Sequence, residues 1–164
     1  MKKWDQAVID EKAEVVTPST GMTVDLGDGV TLFFYVPQND ADYQEVANHR
    51  SLVIEVREDE VCKVLLTGDI DIANEEELLA GGFPLNCEVL KAAHHGSKYA
   101  NTQPFLEAVH PAAVVIPVGA QNRYGHPDPG VLELLQDLSV YRTDMAGRIR
   151  VVLSEPPAFT VQND

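Results

Sequence analysis

The chain has 164 residues, 45% hydrophobic and 23% charged, a composition that buries one domain's core and excludes a disordered chain. Its formal charge is −14 with no basic block, which argues against tight nucleic-acid binding through phosphate neutralisation. No apolar run approaches the ~20 residues of a bilayer span, and the opening MKKWDQAVID lacks the apolar core of a secretion signal.

In chain order, the pattern predicts an opening helix over 3–12 and a short strand over 14–16. A hairpin follows, with strands over 22–26 and 30–36 joined by the Gly27–Asp28–Gly29 turn. Residues 37–48 are polar and acidic and read as a loop. Two strands come next, SLVIEV and CKVLLTGD, separated by the charged turn REDE. The segment NEEELLAGG reads as a helix with Asn74 as N-cap, acids in its first turn and a Gly81–Gly82 stop. CEVLKAA is a strand that delivers His94 and His95. A helix then starts near 102–104, with Pro104 in its first turn, and the apolar run AAVVIPV is a strand covered on both faces. Asp128 caps the helix PGVLELLQDL, and SVYRTD, GRIRVVL and AFTVQ close the chain as strands. Cys62 and Cys87 lie in strand-like segments without metal or redox spacing. They are expected to be buried free thiols, which leaves the redox compartment open. Hairpins followed by strand–helix alternation define a single mixed α/β domain over 1–164, with polar loops at the strand ends.

Three of those loops carry uncommon polar clusters. VLLTGDID ends at Asp69 and Asp71, and Gly68 lets the backbone turn so that a carboxylate faces outward; the plainer reading is a turn aspartate bonding to its own backbone. His94 and His95, on alternate strand positions, would point to opposite faces, one to bind metal and the other to support it or meet substrate. Gly96 then allows close approach. The alternative is a structural role for both rings. In VGAQNRYGHPDPG, His126 sits between Gly125 and Pro127 at a loop mouth, unless it serves only to cap the next helix. Taken together, the clusters follow strands whose ends form sites in open sheets, and carboxylate with imidazole suits zinc or manganese. Ser97, Lys98, Asn122, Arg123 and Tyr124 are then placed to hold a phosphate or similar anion.

At these residues a family resemblance emerges. The ordered series GMTVDLGDGVTL, NHRSLVIEV, VLLTGD, VLKAAHHGSKYANT, PAAVVIPVGAQNRYGHP and YRTDMAGRIRV resembles the C-terminal metallo-β-lactamase-like domain of ComEC-type DNA-uptake competence proteins. The resemblance implies an α/β/β/α sandwich, mostly its C-terminal half here, whose mixed sheet carries flanking helices and a metal site along one edge. It implies Asp69 as the carboxylate that bridges two metals and His95, or else His94, as a later ligand. Asn48 matches an asparagine ligand of the related phosphorylcholine esterases, and His126 would approach the substrate as proton donor or phosphate contact. The superfamily's upstream HxHxDH loop has no counterpart, since the first histidine is His49. The expected function is therefore a fragment of a metal-dependent phosphodiesterase or nuclease, inactive or weakly active alone, whose parent acts on DNA or another phosphoester. A non-catalytic scaffold or interaction module is the alternative. The resemblance further implies a bacterial membrane protein as parent, with this domain extracytoplasmic. Half a sandwich leaves an apolar face bare, so a homodimer is expected.

Overall fold

The computed structural model describes residues 3–37, 51–154 and 156–162. Its order is α1 (Lys3–Glu11), β1 (Thr23–Gly27), β2 (Val30–Tyr35), β3 (Val53–Glu58), β4 (Val61–Leu66), α2 (Ile72–Ala80), β5 (Val89–Lys91), α3 (Gln103–Val109), β6 (Ala113–Ile116), α4 (Pro129–Leu134), β7 (Ser139–Arg142), α5 (Thr143–Ala146), β8 (Arg148–Val152) and β9 (Ala158–Gln162).

Strands β1 to β7 form one sheet in chain order, antiparallel through β4 and parallel from β4 to β7. Each parallel step needs a crossover, and right-handed crossovers that advance in one direction place their helices on one face. The main core confirms this: Leu65, Leu90 and Val114 of the sheet pack with Leu78 of α2, Phe105 and Val109 of α3 and Val131 of α4. Glu55 lies in the same layer, where its carboxylate accepts the Tyr35 hydroxyl and the Arg57 Nε–H (2.6 Å). The opposite face carries the paired row Phe34, Ile54, Leu66, Lys91, Val115 and Tyr141. There β8 and β9 pair as a second, two-stranded sheet, joined to the row by Phe159 stacked on Tyr141 at 4.3 Å. The molecule is an α/β sandwich with a seven-stranded mixed sheet.

Several local expectations are corrected. Residues 14–16 are not a strand, and α4 stops at Leu134. The N-cap of α2 is Asp71, whose carboxylate accepts the N–H groups of Ala73 and Asn74, while the Asn74 side chain accepts the Asp71 N–H. Asn74 is thus the reciprocal half of a capping box. SVYRTD leaves the sheet at Arg142 because the Thr143 hydroxyl turns inward, donating to the Val118 carbonyl and accepting its N–H. Cys62 and Cys87 are not free thiols; they form a disulfide. Strands β4 and β5 are parallel neighbours, so their entry points lie side by side, with Cα atoms 4.8 Å apart across 25 residues of sequence. Adjacency in the sheet, which spacing in the sequence does not reveal, makes the bond.

Candidate functional site

The carboxyl ends of β4, β5 and β6 bring the three polar loops together, as open parallel sheets do. After β4, Thr67 is tied by its hydroxyl to the Lys91 carbonyl, and Gly68 turns the chain at φ +57°. A side chain at Gly68 would strike Ser51, whose hydroxyl accepts the Asp69 N–H at 3.0 Å. The Asp69 carboxylate stands at the sheet end near His95 and Lys91, while Asp71 caps the helix.

The histidine pair is not on a strand and does not alternate. Ala93–Gly96 forms a single tight turn in which His94 (φ 46°) and His95 (φ 56°) are both left-handed. That conformation is costly for non-glycine residues, and a buried asparagine holds it in place. The Asn101 amide accepts the Ala93 N–H at 2.8 Å and donates to the carbonyls of Ala93 and Ser97. Glu75, reaching from α2, accepts the N–H groups of Asn101 and Thr102. Gly96 packs so closely on Pro127 that an added Cβ would lie 2.6 Å from it. The Gly96 carbonyl accepts the Asp128 N–H at 2.8 Å. The close approach expected at Gly96 is therefore contact with the His126 loop.

His95 turns toward Asp69, with Nε2 3.6 Å from Oδ1. Its other nitrogen, Nδ1, donates to the Pro117 carbonyl at 2.6 Å, which orients the ring with Nε2 facing the carboxylate. Two ligands about 2.1 Å from one tetrahedral ion stand about 3.4 Å apart, so this pair fits two positions on a divalent metal. A catalytic zinc takes about three protein ligands, and the described residues contain no group of three or more His, Cys, Asp or Glu placed to hold an ion. Asn48 lies outside the described residues. Lys91 donates to the carbonyls of Gly68 (2.7 Å) and Ala92 (3.1 Å) and stands 3.9 Å from Asp69 Oδ1. Burial lowers its pKa, and Asp69 opposes that shift.

The His94 and His126 rings meet edge to face at 5.7 Å. Burial lowers the His126 pKa, with His94 and His95 adding to the shift and the carboxylates of Asp128 and Asp69 opposing it. Its loop is braced by Asn122, which accepts the His126 N–H at 3.0 Å and donates to the His126 carbonyl at 2.8 Å. A cleft of about 360 Å³, walled in part by Pro117, Val118, Gly119 and Tyr124, opens beside His95 and His126. Ser97 is buried under the turn, its hydroxyl accepting the Tyr99 N–H, and the exposed Lys98 ammonium lies over the Tyr99 ring. The structure thus gathers Asp69, His94, His95, His126, Asn122 and Tyr124 and keeps Ser97 beneath them.

Glu75, Asn101, Lys91 and the Pro117 carbonyl escaped the sequence reading. A lone lysine inside the apolar VLKAA was the available signal, because a buried ammonium needs partners. Glu75 was masked by its acidic neighbours in NEEE.

Fold and site define a mixed α/β sandwich protein whose candidate centre lies at the ends of its parallel strands. No protein-family model matches the chain. It is 34% identical over 148 residues to ComE operon protein 3 of Bacillus subtilis (strain 168), a match covering 88% of the chain and 18% of that protein. It is 32% identical over 126 residues to Competence protein ComA of Neisseria gonorrhoeae, covering 75% of the chain and again 18% of the relative. The chain is homologous to one segment of the ComEC-type competence proteins and spans about a fifth of the length of these relatives.

Proposed function

We propose that this chain is part of a metal-dependent phosphodiesterase or nuclease domain of the metallo-β-lactamase type, serving DNA uptake in its parent. The observation that carries the reading is the Asp69–His95 pair, 3.6 Å apart at the sheet end, with the imidazole oriented by its Nδ1 contact to the Pro117 carbonyl. Asp69 and His95 would hold zinc or manganese, a pair that supplies two of the about three protein ligands a catalytic zinc takes. When bound, such an ion lowers the pKa of water and draws charge from a phosphoryl oxygen. The overall change is hydrolysis: a water oxygen joins phosphorus, the ester P–O bond breaks, and the departing oxygen takes up a proton. His126, held by the Asn122 brace, donates a hydrogen bond to the phosphate as negative charge builds there. Lys91 keeps the Asp69 turn against the histidine turn.

The Cys62–Cys87 bond supports an extracytoplasmic placement of the domain, since disulfides persist in oxidising compartments. No helix among the described residues is long and apolar enough to cross a membrane. A scaffold module is the second reading, favoured by the two-residue ligand pair.

Metal titration separates the two. Purified protein is expected to bind zinc or manganese weakly, by calorimetry and elemental analysis, and to lose that binding in Asp69→Ala and His95→Ala. Slow turnover of bis(p-nitrophenyl) phosphate should track the bound metal. Affinity equal in wild type and both variants puts the scaffold ahead.

A further inference from the structure

The cleft beside the Asp69–His95 pair suits a flat ring better than a chain of phosphates. At about 360 Å³ it lies at the small end of the roughly 300–1,000 Å³ typical of small-molecule sites. Pro117, Val118 and Gly119 form an apolar part of its wall. The amide of Asn122 is already engaged, donating to the Gly119 and His126 carbonyls and accepting the His126 N–H. Tyr124 also lines the cleft although 69% of its surface is exposed, a large aromatic ring left in water beside a candidate catalytic centre. Its plane lies 18° from that of His126, with ring centroids 6.0 Å apart, so the two rings offer faces of nearly the same orientation. The Arg123 guanidinium sits 5.3 Å from the Tyr124 centroid and bonds the phenolic oxygen at 3.3 Å, adding a cation to the platform.

Net charge narrows the choice of ligand. A chain at −14 gains little by neutralising phosphates and repels a polyanion as a whole. Stacking on an aromatic ring does not depend on that charge, and it tolerates any base because every base has a π-face. A paired base inside a duplex has both faces covered and cannot use such a platform; an unpaired one can. We propose that the cleft takes one unpaired nucleobase of the substrate, stacked on Tyr124, with the adjoining phosphate lying at Asp69 and His95. The proposal deepens the phosphodiesterase reading and rests on it for the position of the phosphate. It makes the site selective for single-stranded nucleic acid, with little preference among bases.

The test is equilibrium binding in EDTA, so that turnover plays no part. A single-stranded thymidine hexanucleotide is compared with an abasic hexamer of equal charge and with six thymidines paired in the stem of a stable hairpin, by titration of amide shifts in the Gly119–Gly125 loop. Binding of the hexanucleotide well above both controls is expected. Tyr124→Ala should weaken it roughly tenfold, the order of one base–aromatic stack, and Tyr124→Phe should retain it. Going from 50 to 200 mM salt should change the affinity less than about threefold, against the steep loss of a phosphate-driven complex. Equal binding of the abasic hexamer overturns the proposal, as does an unchanged Tyr124→Ala variant whose folded spectrum is intact. Should that variant misfold, Tyr124→Leu replaces it. Metal binding is measured separately, on the same protein dialysed free of EDTA. Metal bound without base discrimination removes the stacking site alone, whereas base discrimination without metal removes the hydrolase reading alone.

Discussion

Lys91 shows how much a single side chain does at this site. Its ammonium bonds one carbonyl in the Asp69 turn and one at the entry to the histidine turn, so it ties together the two loops that carry the candidate ligands. Lys91→Met keeps the apolar stem and removes the donors. Two carbonyls then lose their charged partner, and each such loss costs about 1–3 kcal/mol. The variant should unfold at lower urea by about 2 kcal/mol or more, and its zinc affinity should fall because Asp69 is no longer held against His95. Unchanged stability and affinity would mean that the ammonium is not the tie. Asp69 and His95 were legible in the sequence because a carboxylate and an imidazole at strand ends advertise their chemistry. Lys91 was not, because its partners are backbone carbonyls, which have no signature in side-chain sequence.

Among the elements, the histidine turn depends on others. Helix α3 was readable from Pro104 in its first turn, and Asp128 caps α4 as expected; that Thr102 caps α3 is added by the structure. The left-handed pair at His94–His95 was unreadable because nothing in HHGS demands it. The constraint comes from Asn101, and behind it from Glu75, 26 residues away on α2. That carboxyl is fully buried, and burial raises its pKa above the ordinary 4.5, while the N–H groups of Thr102 and Asn101 pull it back down. The folded state thus holds the Glu75 proton more tightly than the unfolded chain does. The resulting stability is complete below the ordinary value and is lost as pH rises through the folded one. Glu75→Gln does not titrate, so the wild type should gain stability relative to it as pH falls from about 7 toward 4.5. Urea unfolding of both proteins at several pH values checks the direction. A gap moving the other way would show that the two N–H bonds outweigh burial.

At the scale of the whole molecule, the sheet has two ends with different duties. The carboxyl ends of β4–β6 carry the candidate centre, and the entry ends of β4 and β5 carry the Cys62–Cys87 bond, near the Lys63–Glu88 ion pair at 2.7 Å. Closing 25 residues of chain, the bond limits the unfolded ensemble, and a loop of that size is worth roughly 2–4 kcal/mol. The loop also encloses Asp69 and the whole of α2, so the bond stabilises the segment that presents the carboxylate without touching it. The Cys62→Ser/Cys87→Ser protein should therefore unfold earlier in urea by that amount, and reduction of the wild type should shift it equally, while zinc affinity under folding conditions stays within about twofold. Reduction that leaves the urea midpoint unmoved would show that the bond does not form in solution. Loss of metal together with the bond, in protein that is still folded, would show that the two ends of the sheet are coupled.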